Sequence, residues 1–313
     1  MKIYSNSDFE FILKIIEKYS SYYDFPYNAP VSYYNIFSLC NKYLKAQLKR
    51  DTKLYMNISS DNILTLIDEK AEHVTLVHPK AEKAVKSTVE GLVADGVKRI
   101  SLHSPNFVPG EEYSIEQTFE QVLLDCHTAD VNSEHNNELL RERLSKRSFA
   151  NYRKNNREIR VEEISSSNIS DLEKITDIWN KRAISRNVDT RSVFKDYLAI
   201  DLLKKGNKNL IGLIGYRGSN PVSFNIVTRM SFNPTVAVLL SSKSLNYKDQ
   251  PGGYNETSVH SYIKLGEFLG QIGVSSLNLS GGNNTSSSLY SFKLNLGSHS
   301  ICKSADYYYT PNI

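Results

Sequence analysis

Between Glu138 and Arg160 the chain gathers Arg141, Arg143, Lys146, Arg147, Arg153, Lys154, Arg157 and Arg160, with Glu142 and Glu158 as the acids among them. A guanidinium is a planar fork that grips phosphate or carboxylate through paired hydrogen bonds, so such a segment reads either as an anion clamp or as a solvated helix face. A second candidate is Gln250, Pro251, Gly252, Gly253, Tyr254 and Asn255, placed before a helical run that carries Val259, Ile263 and Phe268. Pro-Gly-Gly makes a good turn, and the unpaired N–H groups at a helix start attract anions. A third is Gly281 and Gly282, followed by Asn283, Asn284 and serines, which is either a surface loop or the lip of a binding site. The fourth is the run Leu289, Tyr290, Ser291, Phe292, Lys293, whose lysine is either a surface cation after a core phenylalanine or a charge aimed at a reaction.

Several chemistries lose support. The chain lacks the glycine-rich phosphate loop G-x-x-x-x-G-K-[ST], the dinucleotide G-x-G-x-x-G, the zinc-protease H-E-x-x-H and the nucleophile elbow G-x-S-x-G. Its histidines do not cluster: His73 and His78 are an odd number apart on one strand and face opposite sides, and His103 and His127 stand alone near cleft positions. No metal site is expected. Cys40, Cys126 and Cys302 are odd in number and far apart, which fits a reducing compartment better than a disulfide framework.

The elements that must position these residues are those of an ordinary folded chain. At 313 residues, 40% hydrophobic and 23% charged, the composition excludes a disordered or fibrous protein. The net charge of +4 is too small to name DNA as a partner. No stretch has the length and apolarity of a membrane span and the start does not read as a signal peptide, so the expected place is the cytoplasm. Ser7 to Glu10 reads as a capping box before a helix through Tyr19, and Phe37, Cys40, Leu44 and Leu48 mark a second helix. The period then changes to two over Lys53–Ile58, Ile63–Ile67 and His73–Val77, followed by a helix over Ala81–Ala94 closed at Gly96 and a strand over Arg99–His103. The order recurs with strands near Leu210–Tyr216, Val222–Met230 and Thr235–Ser241, a helix ending near Gln271, and a strand. Gly96, Val97, Ile100 and Leu102 match Gly273, Val274, Leu277 and Leu279 at constant offset. The expectation is two copies of one α/β unit with a mixed sheet, residues 1–137 and 138–313. In the basic segment, Leu140, Leu144, Ser148 and Tyr152 fall on one helical stripe.

Two signatures in order carry a resemblance. One is a strand and acidic linker from Gln117, then a basic helix of the form L-S-K-R-x-x-x-N-Y-R-K over residues 144–154; the other is L-Y-S-F-K-L-N-L-G over residues 289–297 after Gly281 and Gly282. With Gly218 to Val222 between them, the pair resembles the FemAB-type transferases and their acetyltransferase-like relatives in the GNAT superfamily, over roughly Gln117 to Gly297. The resemblance implies tandem GNAT-like units and transfer of an acyl or aminoacyl group, from a CoA thioester or aminoacyl-tRNA, to an amine of a cell-wall or surface-polysaccharide precursor. It implies Lys293, beside Phe292, at the reaction centre, and Arg153, Lys154 and Arg157 on the acceptor phosphate. It implies donor binding by Gln250, Gly252 and Gly253 at the helix start and by Gly281 and Gly282. Asn255 departs from the Gly or Ala that ends the family's loop, which puts acetyl-CoA binding in question. Asn278 and Ser280 stand where relatives often carry an acid, leaving water or a hydroxyl such as that of Tyr290 to take the proton.

The expected function is therefore an N-acyltransferase of the GNAT/FemAB type in cell-envelope biogenesis, with a small-molecule or sugar-nucleotide acceptor, tRNA as a further partner, and no tightly bound cofactor. A competing reading is a non-catalytic GNAT-like module that holds RNA or anionic head groups through the basic helix. An aminoacyltransferase acting on phospholipid at a membrane surface is a third.

Overall fold

The computed structural model describes residues 10, 54–58, 64–68, 74–77, 82–97, 100–103, 113–126, 133–185, 191–206, 210–229, 236–245, 257–279 and 288–309. Apart from Glu10, which is helical, the helices expected before Arg50 lie outside these residues. The chain divides into two compact units, one of residues Met1–Phe119 with Lys303–Ile313 and one of Glu120–Cys302. The sequence expectation drew a single boundary at residues 137/138; the compact units divide at 119/120 and at 302/303.

In the first unit β1 (Leu54–Ile58), β2 (Leu64–Asp68) and β3 (Val74–Val77) form an antiparallel meander. Helix α1 (Glu82–Ala94) then crosses over to β4 (Ile100–His103), which runs parallel to β3. The final strand β11 (His299–Tyr309) lies antiparallel on β4, pairing Tyr307 with Leu102 and Tyr309 with Ile100.

The second unit is a six-strand mixed sheet in the order β5-β10-β9-β8-β7-β6. Its strands are β5 (Tyr113–Asp125), β6 (Ile159–Glu163), β7 (Leu210–Arg217), β8 (Asn220–Arg229), β9 (Val236–Ser244) and β10 (Ser276–Asn278). Only β9 and β10 are parallel neighbours; the other pairs are antiparallel. A parallel pair requires a crossover helix, and α6 (Ser258–Gln271) supplies it. Helices α2 (Ser133–Arg143) and α3 (Lys146–Glu158) lie between β5 and β6, α4 (Ile169–Ser185) and α5 (Arg191–Lys204) follow β6, and α7 (Ser288–Leu294) follows β10. One face of the sheet packs Val122, Leu213, Val227 and Leu239 against Val259, Ile263 and Leu269 of α6 and Tyr152 of α3. The other face carries Ile214, Phe224 and Ile226, buried beneath α4 and α5 with Leu172, Leu198 and Leu202.

The repeated Gly-Val phrase has one geometry in both units. Gly96 and Gly273 each take φ of 84°. Gly96 N–H donates to Val93 and Val97 N–H to Leu92, while Gly273 N–H donates to Gly270 and Val274 N–H to Leu269. This is the left-handed glycine cap, which closes a helix and turns the chain into the next strand. The basic segment is different from the sequence expectation of a single stripe: the helix breaks after Arg143, and Ser145 caps a new one, its Oγ accepting from Ser148 N–H at 3.2 Å. Ser148 thus belongs to the cap, and of the expected stripe Leu144 and Tyr152 are buried. Helices α4 and α5 were not read from the sequence, and they pack on β7, β8 and β9 on one face of the second unit's sheet.

Candidate functional site

Strand β9 is the centre of the site because its two faces exchange partway along it. Val227 pairs with Leu239, but the next residue Ile226 pairs with Ser241, leaving Leu240 as an extra residue in the ladder. A bulge of this kind reverses the alternation of side chains. Leu239 therefore points into the α6 core, while Ser241 and Lys243, which would share that face in a regular strand, point to α5. Ser242 turns to α6, where it shares a side-chain hydrogen bond with Tyr262. The parallel pairing with β10 runs only from Ser276↔Val236 to Asn278↔Val238, whereas β9 continues to Ser244. Among the described residues, the β10 side of β9 has no strand partner past Val238, and the parallel pair opens there.

On the α6 face, Tyr262 meets Phe292 of α7 edge-on, with ring centroids 5.9 Å apart. This contact sets α7 against α6 at the level of Ser242. Lys293, the next residue, is 6% exposed and Tyr290 7%. Burial pulls the Lys293 ammonium down to about 8, because a charged form loses its hydration there. Helix α7 ends in a tight turn: Gly297 takes φ of 80°, and a Cβ there would stand 2.7 Å from Cβ of Arg143. The last glycine of L-Y-S-F-K-L-N-L-G is thus fixed by backbone conformation and by a close approach. The Ser298 hydroxyl donates to the Lys293 carbonyl at 2.5 Å.

The same face holds a buried polar layer. Asn225 Nδ2 donates to the Ser261 carbonyl at 3.1 Å and also meets the Ser261 hydroxyl. His260, fully buried in the first turn of α6, has no hydrogen-bond partner for either ring nitrogen and lies 5.9 Å from the Tyr152 ring. Burial, with the Lys264 and Arg217 charges adding to it, depresses this imidazole to about 4, so it is neutral at physiological pH. Tyr152 in turn donates to Glu267 Oε1 at 3.2 Å, joining α3 to α6.

The other sequence candidates fall elsewhere. Arg153, Lys154 and Arg157 are exposed on α3, with the Arg153 guanidinium 5.9 Å from the Phe149 ring centroid in the same helix. They project from that helix, while Lys293 is buried on α7. Gln250, Gly252, Gly253, Gly281 and Gly282 lie outside the described residues. The ends of the Gln250 segment are nevertheless joined, Thr257 Oγ1 donating to the Leu245 carbonyl at 3.4 Å. Asn278 is buried at the end of β10. Among the described residues no group of His, Cys, Asp and Glu is placed to hold a metal ion. No helix among them is long and apolar enough to cross a membrane.

Sequence reading missed a second cluster on the α4/α5 face. Asp196 of α5, 2% exposed, accepts from the Ser241 hydroxyl at 2.5 Å, and its Oδ2 lies 2.8 Å from Lys243 Nζ. The same Nζ stands 4.2 Å from the ring centroid of Trp179 on α4. The only signal in the sequence was a lysine among serines at the end of an apolar strand, and the bulge that selects its face leaves no such mark.

No protein-family model matches the chain, and no curated protein does. Solved structures do. The chain is similar to a conserved protein of unknown function from Bacteroides thetaiotaomicron, at 12% identity and a TM-score of 0.58, over 99% of both chains. It is similar to the C-terminal DUF2156 domain of a putative lysylphosphatidylglycerol synthetase from Agrobacterium fabrum, at 13% identity and a TM-score of 0.54, over 83% of this chain and 84% of that one. A tandem GNAT protein from the clavulanic acid biosynthesis pathway matches at 8% identity and a TM-score of 0.45, over 89% of each chain. The fold is mixed α/β, and structures named as GNAT-type acetyltransferases match it at TM-scores below 0.5.

Proposed function

We propose that the chain is an N-acyltransferase that moves an acyl group from a CoA thioester to an amine at the opening between β9 and β10. The observation that carries this reading is the bulged strand β9, running past the end of its parallel partner, with Lys293 buried one residue from the ring that packs on Tyr262. An acyl chain laid in the opening meets backbone groups of β9 that no strand occupies among the described residues. The amine nitrogen attacks the thioester carbonyl, the carbon–sulfur bond breaks, and the thiol leaves with a proton. The intermediate carries an oxyanion, and a cation in a site of low polarity stabilises it more than the neutral thioester. Lys293 supplies that cation, and Tyr290 lines the same helix as a hydroxyl.

The finer assignments follow the resemblance. Residues Gln250, Gly252 and Gly253 hold the donor's phosphates at the start of α6, Gly281 and Gly282 close over the acyl arm, and Phe292 packs beside it. Arg153, Lys154 and Arg157 hold an acceptor phosphate, which fits a sugar-nucleotide precursor of the cell envelope. Aminoacyl-tRNA is the alternative donor. The exposed cations of α3 also favour a second reading, a non-catalytic module that binds RNA or anionic head groups.

Thermal shift of the purified protein against acetyl-CoA, UDP-sugars and RNA separates these, since a ligand of the folded state raises stability as RT ln(1 + [L]/Kd). A shift with acetyl-CoA that is lost in Gly252→Pro or Gly253→Pro supports the CoA donor. A shift with RNA alone, steeply weakened by salt, moves the protein to the binding class.

A further inference from the structure

Strand β6 ends the order of the second unit's sheet, with β7 on one side and, among the described residues, no strand on the other. An edge strand offers unpaired N–H and C=O groups to another chain. Which groups these are follows from the ladder. Ile164 N–H donates to the Gly212 carbonyl at 2.9 Å, and hydrogen-bonded pairs alternate with open pairs along an antiparallel ladder. Arg160 and Glu162 therefore turn their backbone groups to β7, while Ile159, Val161 and Glu163 turn theirs to the edge. Two of the outward groups are engaged within the chain: Ile159 N–H donates to the Asn155 carbonyl at the end of α3, and the Glu163 carbonyl accepts from Asn168 Nδ2 at 2.9 Å. The groups left for a partner are the Ile159 carbonyl, the N–H and carbonyl of Val161, and the Glu163 N–H.

These groups are complementary to themselves. Across a two-fold axis at Val161, an antiparallel second copy sets Val161 opposite its own equivalent and Ile159 opposite Glu163. Val161 N–H then donates to the Val161 carbonyl of the other copy, and Glu163 N–H to the Ile159 carbonyl, each bond made in both directions. The Ile159 N–H and the Glu163 carbonyl would also meet in this register, and they are the two already engaged inside each copy. The side chains select the same register. Arg160 and Glu162 are 62% and 36% exposed and pair with each other along the strand, with the Arg160 guanidinium 5.1 Å from the Tyr216 ring centroid. Across the axis each Arg160 faces Glu162 of the other copy in a close, non-hydrogen-bonded pair, where opposite charges attract. Shifting the axis by one residue sets Arg160 against Arg160 or Glu162 against Glu162, and brings together residues whose backbone groups face β7. On the opposite face Val161, half-buried against the α6 core, meets its equivalent. Charges on an edge strand commonly keep other strands away; here their signs admit one register.

We propose that β6 is a dimerisation edge, at which the sheet of one copy continues into that of a second copy through an isologous antiparallel pairing centred on Val161. The occupant is another copy of this chain because the free backbone groups and the two charges of β6 are met, group for group, by β6 itself. The strand is five residues long, so the contact is small and the dimer is weak, forming as protein concentration rises. The pairing is independent of the acyl-transfer reading: β7 and β8 separate β6 from β9, and each copy keeps its own opening.

The test is sedimentation velocity of the full chain at concentrations up to about 1 mM, with charge-reversal variants whose folding is checked by the thermal midpoint. Glu162→Arg alone, or Arg160→Glu alone, sets like charges opposite each other across the axis, and each raises the dimer dissociation constant roughly tenfold or more. In an equimolar mixture of the two variants every cross-strand pair is opposite in sign again, and the mixed dimer forms with an affinity within about threefold of the unaltered one. Val161→Pro is the backbone counterpart. It removes the reciprocal Val161 bonds, and because that N–H faces away from β7 the monomer keeps its fold while dimerisation is lost. Recovery in the mixture together with loss in Val161→Pro supports the edge pairing. An unaltered chain that stays monomeric at about 1 mM, a dimer that survives Val161→Pro, or charge variants that fail to recover on mixing would each overturn it.

Discussion

Lys293 and His260 are both buried and ionisable, and both make predictions in pH. The Lys293 ammonium is depressed to about 8, so the cation is present below that pH and is lost as pH rises through it. Turnover that depends on the cation therefore falls above about pH 8, and Lys293→Arg, whose charge persists, removes the fall. A pH–rate profile of the two proteins checks it. For His260 the folded protein resists the proton to about pH 4, while the unfolded chain takes it near the ordinary 6.5. Stability from this group is complete above the unfolded value and is lost as pH falls from 6.5 toward 4. The whole effect is roughly 3 kcal/mol, read as a loss of thermal midpoint over that range that His260→Phe diminishes. At this scale the sequence was partly legible. Lys293 and Tyr290 stood in a recognisable run, but Asp196 and Lys243 are 47 residues apart by number on separate elements, and only the bulge brings them together.

Element boundaries were legible where turn chemistry marks them. Gly96 and Gly273 follow apolar helical runs, and both occupy the left-handed cap that only glycine takes cheaply. Gly273→Ala has open space for its methyl group, so its cost is the backbone conformation alone, about 1 kcal/mol. Gly297→Ala meets the same conformational cost and also drives its Cβ against Arg143, adding about 1–3 kcal/mol. Chemical denaturation of the two variants should rank Gly297→Ala as the more damaging; the reverse order would contradict the close approach at the end of α7. The break between α2 and α3 was hidden because Leu140, Leu144, Ser148 and Tyr152 keep helical spacing across it. Ser145 decides the matter, since its hydroxyl satisfies a helix-start amide and so begins a new helix.

Across the whole molecule, the repeat in the sequence corresponds to two α/β units, but their exchange of strands was not visible. β5 leaves the first half of the chain to pair with β10, and β11 returns from the end to pair with β4. Strand pairing over such separations follows no local pattern, whereas the meander and the helix caps do. The exchange predicts that deleting residues 303–313 exposes β4, raising amide exchange at Ile100–His103 while β7–β9 keep their protection. Equal loss in both units would contradict the division. Acyl transfer at the β9–β10 opening is proposed to depend on the Lys293 cation. The most direct measurement is amine-dependent release of CoA thiol from acetyl-CoA by the full chain and by Lys293→Ala, each shown to be folded. The account predicts turnover by the first and a loss of roughly a hundredfold or more in kcat by the second; equal turnover by both, or none by the unaltered chain, would contradict it.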